Sequence, residues 1–234
     1  MNLLSVIAHR HRTPVSNAVT FVGATPNTYA SASSISATVP SSVQAGDLLI
    51  AAATIRAGQS LSTPSGWTLV NNTVGVGTSN VKQYLFRKTA VAGDAGATLT
   101  VSTTLGEAII SLSISAYRKV GGLTVKDSNN GSSAAVSGTS TTVTCPLSTS
   151  LNDMLICAAT TAKNATSGAS TGSADSPWVN DTVTSISSSS ASNSVYMMVA
   201  HTPNTSTTTA QTCTFTIGAT QTSNDWATVS CVIG

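Results

Sequence analysis

The chain has 234 residues, of which 41% are hydrophobic, only 8% are charged and 4% are aromatic, and its formal net charge is +2. Disordered chains are poor in apolar residues and rich in net charge, so this composition predicts a folded protein. Charged residues make up about 25% of a typical globular chain, and their scarcity here favours an all-β protein covered by serine and threonine over a helical bundle. Ten Lys and Arg residues spread over this length also exclude the dense basic face that binding to nucleic-acid phosphates requires.

The first 20 residues combine an apolar run with a basic cluster, and we interpret them as an N-terminal arm. Residues 3–8 are mostly apolar, and residues 9–12 read His-Arg-His-Arg. This order is the reverse of a secretory signal, and no run approaches the ~20 apolar residues of a membrane-spanning helix. We therefore expect synthesis in the cytoplasm and no membrane contact. We predict that the arm docks on a neighbouring subunit by strand addition, through Leu3, Leu4, Val6, Ile7, Arg10 and Arg12.

An internal repeat organises the rest of the chain. Residues 38–54, TVPSSVQAGDLLIAAAT, match residues 144–160, TCPLSTSLNDMLICAAT, at nine of seventeen positions. The match continues downstream, where Trp67 aligns with Trp178 and Tyr84 with Tyr196. The second copy has gained residues between these anchors, and such insertions belong in loops. We predict two tandem domains, residues 21–121 and 122–234, that follow the arm at residues 1–20.

Within each copy the local patterns predict short strands and turns. Residues 48–53 form a continuous apolar run of strand length, which suits a central strand buried on both faces. Residues 109–117 alternate apolar residues with Ser111, Ser113 and Ser115, which predicts a half-buried strand. Turn signals occur at residues 64–66, Pro-Ser-Gly, and 94–96, Asp-Ala-Gly. The spacing predicts an all-β chain of two tandem antiparallel β-sandwiches of jelly-roll type, arising from a duplication.

The cysteines all lie in the second copy, at Cys145, Cys157, Cys213 and Cys231. The first-copy counterparts of Cys145 and Cys157 are Val39 and Ala51, and a cysteine in place of a small apolar strand residue behaves as a buried hydrophobe. We predict buried free thiols, with one or two disulfides as the alternative. No Cys-x-x-Cys or Cys/His spacing suits zinc, so we expect no metal and no other cofactor.

The acidic and histidine side chains form no catalytic pattern. Asp47 and Asp153, the only acids matched in both copies, each precede a long strand, and we predict that they cap turn amides. His201 is the only histidine outside the arm, no Gly-x-Ser-x-Gly elbow occurs, and we expect a surface position in a turn before Pro203. A single Glu and scattered Asp residues argue against a glycosidase pair. We therefore predict no enzymatic activity and no catalytic residue.

Two further motifs have both a binding and a structural interpretation. Residues 127–131, Asp-Ser-Asn-Asn-Gly, resemble the start of a calcium loop, but the glycine comes one place early and Gly138 stands where a Glu is required, so we predict an inter-domain loop. Trp67 and Trp178 follow the same turn in each copy. Tryptophans at loop tips can stack on sugars, which makes both residues candidate glycan contacts, and the alternative is that they anchor the core beneath a loop.

Several segments of the first copy together resemble one known β-sandwich module. They are AGDLLI at residues 45–50, PSGWTLV at 64–70, YLFRK at 84–88 and a Ser/Ala-rich strand that ends with AYRKVG at 116–121. The pattern is similar to a module frequent in structural proteins of tailed bacteriophages, and it covers about residues 35–121. The second copy keeps it in degraded form, with Asn152-Asp153 in place of Gly-Asp and no Ala-Tyr-Arg ending. Such modules occur on capsids, tails and fibres and bring no catalytic residues with them.

The resemblance implies a non-enzymatic virion structural protein. We expect a decoration or cement protein on the capsid surface that binds the major capsid protein and copies of itself, for example as a trimer. It would stabilise the assembled shell through its arm and sheet edges. The alternative is a tail-fibre or receptor-binding protein, in which the loops at Trp67 and Trp178 contact a surface glycan. Neither role involves nucleic acid, a membrane or a cofactor.

Overall fold

The structure, a computed structural model, describes residues 17–56, 58–75, 80–136, 140–163, 172–185, 194–217 and 224–234. Within these ranges every helix or strand element is a β-strand and all strand pairs are antiparallel, which confirms the predicted fold class. The first half contains β1 (Thr20–Ala24), β2 (Thr28–Ala32), β3 (Ser34–Thr38), β4 (Leu48–Ile55), β5 (Thr68–Val74), β6 (Lys82–Thr89), β7 (Thr98–Ser102) and β8 (Ala108–Arg118). The second half contains β9 (Val125–Val136), β10 (Ser140–Thr144), β11 (Met154–Lys163), β12 (Gly172–Ala174), β13 (Val179–Ser185), β14 (Ser194–Pro203), β15 (Thr212–Ile217) and β16 (Asn224–Ile233).

Each half contains one large and one small sheet. The large sheet of the first half has the strand order β1-β8-β4-β6-β5, with β2 also paired to β8, and the small sheet pairs β3 with β7. In the second half the orders are β9-β16-β11-β14-β13 and β10-β15-β12. The chain crosses between sheets from β3 to β4, from β6 to β7 and from β7 to β8, which is the wrapping connectivity of Greek-key and jelly-roll sandwiches.

Strands that the internal repeat aligns occupy the same places in the two halves. β4, β6 and β8 of the first large sheet take the positions of β11, β14 and β16 in the second. β5 and β13, which follow the two aligned tryptophans, are the corresponding edge strands. The common order agrees with a duplication, while the common origin of the halves and the domain bounds stay predictions.

The two large sheets pack face to face, so the molecule has four layers with the small sheets outside. Along β4, Leu49 and Ala51 face the small sheet of the first half, whereas Leu48 and Ile50 face the second half. The continuous apolar run of β4 is thus buried on both faces, as predicted. The apolar contact between the halves, which we call the central interface, joins Val19, Leu48, Ile50, Ala52, Leu85, Tyr117 and Leu123 to Met154, Ile156, Ala158, Met197, Val199, Val229, Cys231 and Ile233.

Contacts across the central interface follow an approximate two-fold pattern. β8 contacts β14, and its counterpart β16 contacts β6. The edge strand β5 lies beside β9, and β1 lies beside β13. Isologous dimers have this self-complementary arrangement, in which the same patch is used on both partners. Here the arrangement is built within one chain.

Strand β8 is buried more fully than its alternating pattern predicts. Ser111, Ser113 and Ser115 are at most 2% exposed, because they share the face of Tyr117 that packs on the second half. The prediction of a half-buried strand is therefore wrong. Ile110, which is on the opposite face, fills the first core together with Leu112, Ile114 and Ala116. Small hydroxyl side chains at these positions let the two large sheets approach closely.

Residues 127–131 lie within β9, so the prediction of an inter-domain loop is wrong. Asp, Asn and Gly are poor strand formers, but β9 pairs along its length with β16. Asn130 Nδ2 also donates to Asn71 Oδ1 (2.9 Å) and to Asn72 O (3.0 Å) of β5. Tertiary pairing here overrides local propensity. The halves are instead joined by a turn at Gly121 and Gly122, whose φ values of +90° and +93° suit glycine.

Candidate functional site

A group of polar side chains in the central interface joins three strands from the two halves. The Tyr117 hydroxyl on β8 donates to Asp181 Oδ2 on β13 at 2.6 Å. The other carboxylate oxygen, Asp181 Oδ1, contacts His201 Nδ1 on β14. The Asp181 side chain has no exposed surface, and that of His201 is 8% exposed. We call these three residues the interface cluster.

A β-bulge directs Asp181 into the central interface. In the pairing of β13 with β14, Asn180 lies opposite Ala200 and Thr182 lies opposite Val199, so Asp181 is the extra residue. An extra residue interrupts the alternation of side chains and re-aims the one that it carries. Because the bulge breaks the period of two, the sequence pattern holds no signal that would have identified Asp181.

Phe21 of β1 covers the interface cluster. Its ring is stacked on His201 with centroids 4.6 Å apart, and it meets Tyr117 edge-on at 5.7 Å. Phe21 itself is 38% exposed, so it forms part of the boundary between the cluster and solvent. The first described strand of the chain therefore packs against the second half as well as pairing with β8.

The protonation of Tyr117 defines the direction of these hydrogen bonds. Burial raises the pKa of Tyr117, and the neighbouring Asp181 carboxylate raises it further. The phenol therefore stays protonated and donates, and the carboxylate accepts. In a Ser-His-Asp hydrolase the histidine connects the carboxylate to a nucleophile, whereas this carboxylate connects a histidine to a tyrosine of the other half. The prediction of a surface histidine is wrong, because β14 carries His201 into the interface.

A second set of buried polar contacts lies in the same interface. Gln83 of β6 is fully buried, and its Oε1 accepts from Thr54 Oγ1 at 2.9 Å. Gln83 Nε2 donates to Ala53 O at 3.2 Å and lies 3.8 Å from Met197 Sδ of the second half. Asn27 Nδ2 of the first half donates to Met197 O at 3.2 Å. A shifted packing of the two large sheets would break the contacts of Gln83 and Asn27 with Met197, so these contacts favour a single arrangement.

The two ends of the first-half motif meet at Asp47 and Arg118. Arg118 Nε and Nη2 donate to the Asp47 carboxylate at 2.6 and 2.7 Å, and the backbone N–H of Gln44 donates to it at 2.8 Å. Burial raises the pKa of Asp47, but the hydrogen bonds and the charge of Arg118 outweigh burial and hold this pKa below its ordinary value. The predicted turn-capping role of Asp47 is confirmed.

The matched acid of the second half has different partners. Lys126 Nζ donates to both carboxylate oxygens of Asp153 at 2.7 and 2.9 Å. Within the described part of the chain, Asp153 accepts its local hydrogen bond from Ser148 Oγ at 2.6 Å and not from a turn amide, so the predicted turn-capping role of Asp153 is wrong. Both acids are thus buried and paired with a cation, although the cation comes from β8 in one half and from β9 in the other.

The two aligned tryptophans are packed beneath loops. Trp178 is 7% exposed, and its indole Nε1–H donates to Thr212 O at 2.8 Å. Trp67 is half-buried against the core of the first half. Their backbone amides close the preceding turns by donating to Pro64 O and Asp175 O. These positions favour the core-anchor alternative over glycan contact.

The four cysteines are buried, as predicted, and none of them forms a disulfide in this structure. Cys145, Cys157 and Cys213 lie in the core between the two sheets of the second half, and Cys231 lies in the central interface. The Sγ atoms of Cys145 and Cys157 are 3.0 Å apart.

The residues predicted to bind a partner through the arm lie outside the described residues: Leu3, Leu4, Val6, Ile7, Arg10 and Arg12.

No family model, curated protein or solved structure matches this chain. In the part of the chain that the structure describes, no helix is long and apolar enough to cross a membrane. Across the same ranges, no three His, Cys, Asp or Glu side chains come together in an arrangement that could hold a metal ion. The residues and the architecture therefore carry the functional proposal.

Proposed function

We propose that this protein is a non-enzymatic structural protein of a tailed-bacteriophage virion, and that it decorates the outer surface of the capsid. The motif segments at residues 45–50, 64–70, 84–88 and 116–121 support the family, and the Asp47–Arg118 ion pair joins the first of them to the last. The motif is thus one contiguous structural unit as well as a pattern along the chain.

The observation that carries the proposal is the four-layer arrangement. Both large sheets are covered on both faces, so the apolar surface that a lone sandwich half would expose is already used within the chain. A protein that reinforces a shell has to keep its shape under mechanical load. The cores of the two halves and the central interface between them are closely packed, and close packing gives a protein low compressibility. The outward surfaces carry little charge, which leaves turns and sheet edges rich in Ser and Thr for contacts with neighbours.

The mechanism is adhesive. A protein that binds the assembled shell and not the free subunits stabilises assembly by mass action. The arm adds apolar side chains and two arginines to the described body, and we expect it to add a strand to a neighbouring sheet. Additional copies of the chain and the major capsid protein are the partners that this mechanism requires.

The proposal is tested by counting copies of the chain in gradient-purified particles, with the major capsid protein as internal standard. Quantitative mass spectrometry should find a copy number of the same order as that of the major capsid protein. A handful of copies per particle would place the chain in the tail or fibres and would overturn the capsid role. Complete absence would overturn the virion role altogether.

The contribution of the arm is tested on particles that lack the chain, by adding it back. A chain without residues 1–12 should fold, as judged by circular dichroism, but should not bind the particles. The matched control keeps the full length and replaces only Arg10 and Arg12 by Ala, which separates the effect of charge from that of the apolar run. Undiminished occupancy by the shortened chain would show that the arm is not the attachment point.

A further inference from the structure

Two cysteine sulfurs approach each other between the sheets of the second half. Cys145 directly follows β10 of the small sheet, and Cys157 lies on β11 of the large sheet. Both side chains are at most 1% exposed, and their Sγ atoms are 3.0 Å apart. A disulfide has an S–S length of about 2.05 Å, so the two sulfurs need to move together by only about 1 Å.

We propose that Cys145 and Cys157 form a disulfide that links the two sheets of the second half when the protein meets an oxidising thiol pool. The reaction is exchange with a small-molecule disulfide such as oxidised glutathione. One cysteine attacks that disulfide and displaces a glutathione thiol, and the other cysteine then attacks the mixed disulfide and displaces the second. The two cysteine thiols lose two protons and two electrons, and oxidised glutathione is reduced to two glutathione molecules.

The first half provides a natural comparison for this site. The residues aligned with Cys145 and Cys157 are Val39 and Ala51, which are buried in the first core at the corresponding places after β3 and on β4. The position therefore does not need sulfur for packing. In the second half, by contrast, both members of the pair are cysteines, which is what a crosslink between the sheets requires.

The environment of the pair predicts when the bond forms. Burial raises the pKa of Cys157, and the neighbouring thiols of Cys145 and Cys213 raise it further. A protonated, buried thiol is a poor nucleophile, so the exchange takes place while β10 is not yet packed over β11. Once formed and buried, the bond is shielded from reductants. The disulfide does not depend on the proposed virion role.

The test uses the full chain, refolded from denaturant in a glutathione redox buffer or in excess dithiothreitol. After denaturation and alkylation, the oxidised sample should carry two fewer alkyl groups than the reduced one. Trypsin cannot locate the bond, because residues 127–163 contain no internal cleavage site between the two cysteines. Cleavage before aspartate separates all four cysteines, into residues 127–152, 153–174, 181–224 and 225–234.

The expected product links residues 127–152 to residues 153–174. A link from residues 153–174 to residues 181–224, which contain Cys213, would overturn the proposed pairing, and four alkylated cysteines after oxidative refolding would overturn the disulfide itself. If refolding fails, the test starts from protein isolated in its folded state. One sample is alkylated at once as the control, and the other is incubated with oxidised glutathione and a low concentration of denaturant before alkylation. The same digestion then distinguishes the same products.

Matched variants connect the bond to stability. The double variant Cys145→Val and Cys157→Ala copies the first-half residues and should fold, while Cys231→Ser leaves the pair intact. Oxidation should raise the Tm of the wild type and of the Cys231→Ser variant by about 5 °C or more. The double variant should show no such shift. An equal shift in the double variant would show that the stabilisation has another origin.

Discussion

The two halves of the molecule build the same strand order around different side chains. β4 and β11 lie at the centre of their sheets, and each is buried by its own small sheet on one face and by the other half on the opposite face. At aligned positions the chemistry nevertheless differs. Val39 and Ala51 of the first core correspond to Cys145 and Cys157 of the second. Ile50 of β4 lies opposite Arg87 of β6, whereas the aligned Ile156 of β11 lies opposite the buried His201 of β14.

This difference shows which properties of the aligned positions the architecture requires. The apolar character of the central strands is kept in both halves because each of these strands is covered on both faces. The acid before each central strand is also kept and paired with a cation, but the cation changes from Arg118 to Lys126. The interface cluster has no counterpart of its own kind among the described residues, since Ile233 and Val70 occupy the places equivalent to those of Tyr117 and Asp181.

The largest loss of stability is expected from Ala substitutions of large apolar side chains, and these substitutions can compare the core of one half with the central interface. Leu85 and Phe86 are neighbours on β6, but Leu85 faces the second half and Phe86 faces the first core. Changing either residue to Ala should lower the free energy of unfolding, by about 2–5 kcal/mol for Leu85 and about 3–5 kcal/mol for Phe86. Because the halves share the central interface, each variant should still unfold in one cooperative transition.

The measurement compares circular dichroism, which reports on all strands, with tryptophan fluorescence during denaturation by urea. Trp178 and Trp226 lie in the second half, so fluorescence is weighted towards that half. For Phe86→Ala both signals should shift to the same lower midpoint. A fluorescence midpoint that stays at the wild-type value while circular dichroism shifts would show that the halves unfold independently.

The next effect concerns the interface cluster. Tyr117→Phe removes the hydroxyl that donates to Asp181 and leaves the ring in place, so the buried carboxylate loses one of its two partners. We expect a loss of about 1.5–3 kcal/mol in the free energy of unfolding, as for hydrogen bonds to charged groups. Tyr84→Phe, which removes a hydroxyl within the first core, is the control. An equal effect of both variants, measured by urea denaturation, would mean that the interface cluster is no more than an ordinary hydrogen bond.

A smaller, pH-dependent effect is expected at the first of the two matched acids. Asp47 has a lowered pKa when folded, so its contribution to stability is present above the unfolded value of about 3.9 and is lost as the pH falls through the folded pKa. Asp47→Asn should lower the free energy of unfolding by about 1–2 kcal/mol at pH 7. This value is small for a hydrogen-bonded ion pair because the Arg118 side chain is 38% exposed and solvent weakens the interaction. The difference in Tm between wild type and variant should shrink steadily below pH 4. A difference that stays constant down to pH 2 would contradict the stabilising role of the ion pair.

The smallest effect is expected at the joined edges of the two large sheets. Asn130→Ala removes the hydrogen bonds to Asn71 and Asn72 across the halves, but Asn130 is exposed and water can replace its partners. We expect a loss of about 0.5–1 kcal/mol and an unchanged slope of unfolding free energy against urea. A loss larger than that of Tyr117→Phe would show that this edge contributes more than the interface cluster to holding the halves together.

Much of the fold could be predicted from local patterns. The continuous run of β4 indicates burial on two faces, the replacement of Val39 and Ala51 by cysteine indicates buried thiols, and the position of Asp47 before a strand indicates a capped turn. The signals at β4 and Asp47 lie within a few residues and reflect the period of the strand or the chemistry of a turn, whereas the signal at the cysteines comes from the alignment of the two copies. The predictions that failed concern Ser111, the segment at residues 127–131 and His201, where the outcome depends on what lies across a sheet. The predicted cap at Asp153 also failed, because its carboxylate is bonded to Lys126 and Ser148 instead of a turn amide.

The sequence by itself therefore determined the strand content, the repeated order of segments and the two-faced burial of the central strands, because hydrophobic periodicity is a local property of the chain. Only the tertiary structure decided that the second face is supplied by the other half of the same molecule. It also decided that Tyr117, Asp181 and His201 meet there. A bulge in β13 and a contact between strands far apart in the chain create that meeting, and neither leaves a periodic trace in the sequence.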